Sequence, residues 1–271
     1  MSDIDIDLYD YLRILYESFP GNNSRSIMKD ALLSGKCADR LKFLFWRFNR
    51  QQISQERLIN ELEKMFKREL KFICDDLFKN TSFQVGKELS NIERKKKELT
   101  TDKSLNYGEI DYYAFYDSIA ILKQFGIKKT NDMIFYDLGS GTGKALVAAR
   151  LIHDFSKIHG IEIMESLYNE GNKCIEEFNN KILTALNLNT SSNLITSELG
   201  SLLDIDWSDG DIVYCNSTAF DQNLMELFSQ KASCMKSNSI LITYTKPINN
   251  NEFDIVGKIR TVSINCALYN T

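Results

Sequence analysis

Residues 133–168, MIFYDLGSGTGKALVAARLIHDFSKIHGIEIMESLY, limit the fold more than any other stretch. A β-branched and aromatic run, Ile134 to Tyr136, ends at Asp137, and Gly139, Gly141 and Gly143 then crowd one turn. A segment rich in Ala, Leu and Val follows, and a second apolar run, Ile158 to Ile163, carries Glu162 near its end. Strand, glycine turn, helix, and strand with an acid at its end form the opening βαβ unit of an α/β nucleotide-cofactor site.

Spacing separates the cofactor classes that use such a turn. A P-loop needs Gly, four residues, then Gly-Lys-Ser/Thr. Here Gly143-Lys144 is followed by Ala145, and Leu138 stands where the first Gly belongs. A dinucleotide fold wants a third Gly three residues after the second, a position held by Lys144. The remaining pattern, Asp-Leu-Gly-Ser-Gly-Thr-Gly, resembles that of S-adenosylmethionine methyltransferases with a Rossmann-like sheet. Glu162 lies 19 residues past Gly143, near the spacing of about 20 expected of a ribose-binding acid. Its two oxygens suit two ribose hydroxyls. The competing reading is a cap on the helix that follows.

With 271 residues the chain has length for one large or two small domains. The net charge of −4 gives no global drive toward nucleic acid, although residues 36–100 carry 16 Lys+Arg against 10 Asp+Glu. That excess allows at most a weak nucleic-acid contact through basic N-terminal helices. The six cysteines show no paired spacing and only two histidines accompany them, so no metal site is expected. The acidic start is no signal peptide and no apolar run reaches membrane-spanning length. The expectation is a soluble, intracellular protein with no membrane contact.

Apolar periodicity predicts helices throughout residues 1–104: near 8–16, near 27–33, after Asp39, and over the long amphipathic segment from Glu56 to Phe78. Phe43, Phe45, Trp46 and Phe48 read as core or interdomain packing in preference to a base-stacking platform. The ERKKKEL run at 93–99 reads as an exposed helix end. Residues 105–271 alternate instead. Strands are expected near 133–137, 158–163, 193–198, 211–216, 239–245, 257–263 and 266–270, and helices near 112–125, 143–154, 165–187 and 221–235. Only residues 199–210 separate the third and fourth strands, too few for a crossover helix. The fold class is therefore α/β: a seven-stranded Rossmann-like sheet with a terminal antiparallel hairpin, preceded by a helical N-terminal domain.

Three further segments accompany DLGSGTGK and GIEIMESLY: Tyr107-Gly108-Glu109 before the first strand, Asn216-Ser217-Thr218-Ala219-Phe220 after the fourth, and Thr245-Lys246-Pro247 after the fifth. In this order they resemble the Dot (disruptor of telomeric silencing) family, lysine methyltransferases built on a Rossmann-like sheet instead of a SET domain. The resemblance covers about residues 105–270. It implies S-adenosylmethionine as cofactor and a protein substrate, with a histone or nucleosome the candidate, and nuclear location if the substrate is a histone. Tyr107 and Glu109 would fold over the methionine end, Glu109 meeting the ammonium. Asp137, Gly139, Gly141, Gly143 and Lys144 would hold the amino-acid part, and Glu162 the ribose. Asn216 and Phe220 would line the junction where the target amine meets the methyl group. The chain departs from the family at Lys144, where Gln is frequent, and at Ser201-Leu202, where an acid and Phe usually hold adenine. No aromatic stands at the start of the last strand, and Tyr269 is the candidate replacement in the lysine channel. Methylation of another protein or of RNA, or a cofactor-binding scaffold with decayed catalysis, are the alternatives.

Overall fold

The computed structural model describes residues 38–120, 122, 130, 132–182, 195–260 and 265–270. The helices expected near 8–16 and 27–33 lie outside these residues. Three helices come first: α1 (Ala38–Asn49), α2 (Gln55–Leu77) and α3 (Phe83–Lys96). Ser54 and Ser82 start the second and third by accepting from the N–H groups of Arg57 and Val85 at 3.2 and 3.4 Å, caps worth ~1 kcal/mol each. α2 buries Leu58, Leu62, Met65, Leu70, Cys74 and Leu77, the apolar stripe its period requires. Those side chains belong to the same buried cluster as Phe115 and Ile119 of α4 (Tyr112–Ala120) and Phe135, Leu146 and Val147. The N-terminal helices and one face of the sheet thus share a core.

The sheet holds β1 (Ile134–Leu138), β2 (Lys157–Glu162), β3 (Ile195–Leu199), β4 (Ile212–Cys215), β5 (Ile240–Tyr244), β6 (Asp254–Arg260) and β7 (Asn265–Asn270) in the order β3-β2-β1-β4-β5-β7-β6. The first five pair in parallel, and β7 runs antiparallel between β5 and β6. β4 and β5 are buried along their whole length, which is why both read as unbroken apolar runs. β6 begins at Asp254, earlier than its sequence suggests. It stays paired back to Asn270 through a register shift between Ile255 and Gly257.

Helices α5 (Lys144–Ile152), α6 (Glu165–Glu177) and α7 (Gln222–Ala232) alternate with the strands. Between β3 and β4 residues 200–211 make only turns. Trp207, 1 % exposed, is buried on one face of the sheet in a cluster with Tyr136 and Phe228 and donates its indole N–H to Leu202 O at 2.8 Å. Farther along that face β2 turns polar: Lys157 reaches Tyr136 Oη at 2.8 Å, and His159 Nδ1 lies 2.7 Å from Thr196 Oγ1. β1 is flanked by β2 and β4, so a crevice opens beyond its carboxyl end, where ligands of such sheets bind.

One expectation fails and another holds only in part. Phe43 and Trp46 are 56 % and 45 % exposed, stacked at 6.0 Å with the guanidinium groups of Arg47 and Arg50 over their faces. α1 turns Leu44 inward instead and half-buries Phe48, and the Phe45 side chain lies outside the described residues. The ERKKKEL run is an exposed helix end from Lys95 to Leu99, as expected, but not at its first two residues. Glu93 and Arg94 are each 7 % exposed, because both find hydrogen-bond partners that a charge count along the sequence cannot reveal.

Candidate cofactor and methyl-acceptor site

The glycine turn leaves β1 with φ of +80°, +55° and +81° at Gly139, Gly141 and Gly143, a conformation that favours glycine. At Gly141 a side chain is also excluded by space, since a Cβ would lie 2.8 Å from the Tyr107 ring. The turn is fixed from beneath by Glu162. Its Oε2 accepts from Gly141 N–H and its Oε1 from Met164 N–H, both at 2.7 Å, and Met164 is the N-cap of α6. The capping and ligand-binding readings of Glu162 are therefore compatible, since each carboxylate oxygen keeps a second acceptor site. Burial pushes the Glu162 carboxyl up against the backbone N–H groups that hold it down. Asp137 lies alongside, and burial first, then the charge of Glu162, raises it to about 8. Two desolvated acids side by side favour a ligand that brings positive charge.

A loop before α4 forms the facing wall. The Tyr107 ring sits between the glycine turn and Gly86 of α3, where a Cβ would stand 2.3 Å from its Cε1. It stacks on Phe83 at 6.0 Å, and its hydroxyl pairs with Thr142 Oγ1 at 2.9 Å and donates to Glu109. Glu109 in turn accepts from Lys144 Nζ at 2.6 and 2.7 Å.

The third wall follows β4. Asn216 leads into a single turn of 3-10 helix, Ser217–Ala219, and its Oδ1 accepts from Thr218 Oγ1 at 2.9 Å. Ser217 Oγ donates to Tyr244 O at 2.7 Å, Thr218 and Thr245 hydroxyls meet at 3.0 Å, and Lys246 Nζ donates to Phe220 O. The segment is thereby stitched to the end of β5. Phe220 is 8 % exposed and meets Phe228 edge-on at 6.1 Å.

These walls enclose one cavity of about 360 Å³, within the range of small-molecule sites. Tyr107, Glu109, Gly139, Gly141, Glu162, Ser201, Leu202, Asn216 and Phe220 all line it. Three expected residues do not. Asp137 is buried below the turn, Gly143 opens α5, and Lys144 lines a neighbouring cavity of about 410 Å³ whose wall includes Glu109. Lys144 is drawn there by its ion pair with Glu109. Tyr269 sits on β7 in register with Leu241, and its side chain lies outside the described residues. Sequence reasoning missed Ile163, Met164 and Leu167 on the lining. Ile163 carried a signal, as an apolar residue directly after the acid, where it stays 48 % exposed at the cavity mouth. Among the described residues no group of His, Cys, Asp and Glu could hold a metal ion, and no helix is long and apolar enough to cross a membrane.

Comparison with solved structures returns methyltransferases. An RNA methyltransferase from Salinibacter ruber in complex with S-adenosyl-L-homocysteine is 16 % identical, with a TM-score of 0.45 over 60 % of this chain and 93 % of that one. A ribosomal protein L11 methylase from Lactobacillus delbrueckii subsp. bulgaricus is 18 % identical, with a TM-score of 0.42 over 56 % of this chain and 76 % of that one. No curated protein matches the chain. The family model described as "Histone methylation protein DOT1" matches residues 89–265, a span that contains the glycine turn, Glu162 and the Asn216–Phe220 segment. S-adenosylmethionine is the cofactor, and the residues fit it: an acid under a glycine turn for the ribose, an apolar Leu202 wall, and two buried acids whose ionised forms a cationic ligand would favour. On the family match, the chain is a methyltransferase that belongs to the DOT1 histone methylation family.

Proposed function

We propose that the chain transfers a methyl group to a lysine side-chain amine of a protein, with a histone or nucleosome as the first candidate and the nucleus as its place of action in that case. The observation that carries this reading is that one cavity is walled both by the glycine turn with Glu162 and by Asn216 and Phe220. On this proposal cofactor and acceptor residues face each other across that single space. In this reading Glu162 accepts from the ribose hydroxyls, Leu202 packs on the base and Glu109 faces the ammonium, while Asp137, raised to about 8, gains negative charge only where a cationic ligand favours its ionised form. S-adenosylmethionine supplies a methyl group already activated on a sulfonium.

The chain's own task is to align the acceptor and strip it of water. A lysine amine has a solution pKa of about 10.4 and must arrive neutral. Among the described residues no His or Cys lines the cavity, so desolvation near Phe220 takes the place of a dedicated base by disfavouring the ammonium form. Asn216 positions the amine through its side-chain amide, held in place by Thr218.

The test is to incubate the chain with methyl-labelled cofactor and, in parallel, nucleosomes, free core histones and a whole-cell extract, with Glu162→Ala as the blank. Label on a core histone that the blank lacks supports the proposal. Label on another protein alone, or on RNA alone, discards the histone. Cofactor binding without label on any substrate leaves a scaffold.

A further inference from the structure

The buried face of α3 is unlike that of an ordinary packing helix. Its buried residues are Gly86, Ser90, Glu93 and Arg94, one stripe at helical spacing without a large apolar side chain. Each is paired with a segment that borders the cofactor cavity. Gly86 admits the Tyr107 ring. Ser90 Oγ donates to Leu105 O at 3.1 Å. Arg94 spreads its guanidinium over the loop between them: Nε donates to Leu99 O at 3.4 Å, Nη2 to Thr100 O at 2.9 Å and Asp102 O at 3.0 Å, and Nη1 to Asn106 Oδ1. Ser104, Leu105 and Asn106 of that loop line the cavity immediately before Tyr107.

Glu93 faces the opposite wall. Its Oε1 and Oε2 accept from the N–H groups of Glu165 and Ser166 at 3.1 and 2.7 Å, and Lys97 Nζ donates to Oε1 at 2.6 Å. Glu165 and Ser166 open α6, directly after Glu162, Ile163 and Met164. A carboxylate at a helix N-terminus satisfies N–H groups the helix leaves free. Here it comes from another helix and fixes where α6 begins.

We propose that α3 is the positioning element of the cofactor site: adjacent residues Arg94 and Glu93 hold its two walls, the 99–109 loop and the β2–α6 corner, at a fixed separation. The inference rests on this cavity being the S-adenosylmethionine site. Neither residue lines the cavity, so each acts through the segment it anchors. A buried Arg with several acceptors suits this role because its planar fork places several donors at once, which Lys cannot reproduce.

The experiment uses the full chain and S-adenosylhomocysteine, with calorimetric binding and amide hydrogen exchange. Arg94→Met is expected to speed exchange at 99–109 at least tenfold while leaving 164–168 unchanged, and Glu93→Gln is expected to do the reverse. Both should weaken S-adenosylhomocysteine at least tenfold at temperatures where the fold persists. Leu58→Ala, in the α2 core, is the control for general destabilisation. Arg94→Lys should leave binding closer to Arg94→Met than to the parent. The proposal is overturned if Arg94→Met binds as tightly as the parent, if it weakens binding no more than the control, or if both variants loosen both walls equally. A parent chain that takes up no S-adenosylhomocysteine defeats the cofactor reading itself, a result distinct from any of these.

Discussion

Replacing Gly86 by Ala should behave oppositely in two backgrounds. The position lies inside α3, where Ala is favoured over Gly by ~1 kcal/mol. On helix propensity alone the change is stabilising. Yet the new Cβ would stand 2.3 Å from Cε1 and 2.6 Å from Cζ of Tyr107, so the ring must retreat by about 1.2–1.7 Å to reach ordinary carbon–carbon contact. It has little room, because the glycine turn backs its other edge. Overpacking of this kind costs ~1–3 kcal/mol, and a displaced ring also strains the hydroxyl contacts with Thr142 and Glu109, each worth ~1 kcal/mol. The balance is a net loss of ~1–3 kcal/mol in the parent, together with at least a tenfold fall in S-adenosylhomocysteine affinity as the Tyr107–Glu109 wall shifts. In a Tyr107→Ala background the clash vanishes and only the propensity gain remains. A double-mutant cycle by chemical denaturation, with calorimetric binding alongside, measures both. If Gly86→Ala stabilised the parent and left binding unchanged, the packing argument would be wrong.

Other outcomes follow from the buried acids and the ion pair. Asp137 titrates at about 8 in the folded chain against about 3.9 unfolded, so the folded state keeps a proton the unfolded state has lost. Stability should therefore be greatest below pH 4 on this group's account and fall as pH climbs toward 8. Asp137→Asn should flatten that slope in denaturation curves taken across the range, and an unchanged slope would refute the assignment. Glu162→Gln keeps one acceptor oxygen for the two N–H groups now bound. It should cost ~1–3 kcal/mol of stability and reduce S-adenosylhomocysteine binding by two orders of magnitude, measured by melting and calorimetry; near-parental affinity would remove Glu162 from the site. Lys144→Gln breaks a part-buried pair worth ~1 kcal/mol or less and frees Glu109. S-adenosylhomocysteine should then bind several-fold tighter while methylthioadenosine, which lacks the amino-acid part, is unaffected. Weaker S-adenosylhomocysteine binding would mean that Lys144 itself holds the carboxylate.

The parts of the structure legible in the sequence are those written in local chemistry. The glycines at positive φ, the apolar runs of β4 and β5 and the acid at the end of β2 each carry their own signature within a few residues. Glu93 and Arg94 did not, because charge patterning treats consecutive charged residues as solvated. Their burial depends on backbone groups as far off as Glu165 and Ser166 in one case and on a folded-back loop in the other. Phe43 and Trp46 misled for the converse reason: aromatic content predicts burial on average, but the helix period put Leu44 inward and left the rings to stack with Arg47 and Arg50. Lys144 occupied the expected position in the turn, yet its partner across the fold, Glu109, decided where its amine points.

The stitching of the Asn216–Phe220 segment to β5 has an evolutionary consequence. Ser217, Thr218 and Phe220 take their anchors from Tyr244, Thr245 and Lys246, while the opposite walls of the cavity are held by α3. On the proposed function, retention of the cofactor and choice of acceptor therefore depend on separate sets of anchors. Substitutions after β4 and β5 could retune which amine is admitted without loosening the grip on the methyl donor. Relatives of this chain are accordingly expected to diverge in target sooner than in cofactor.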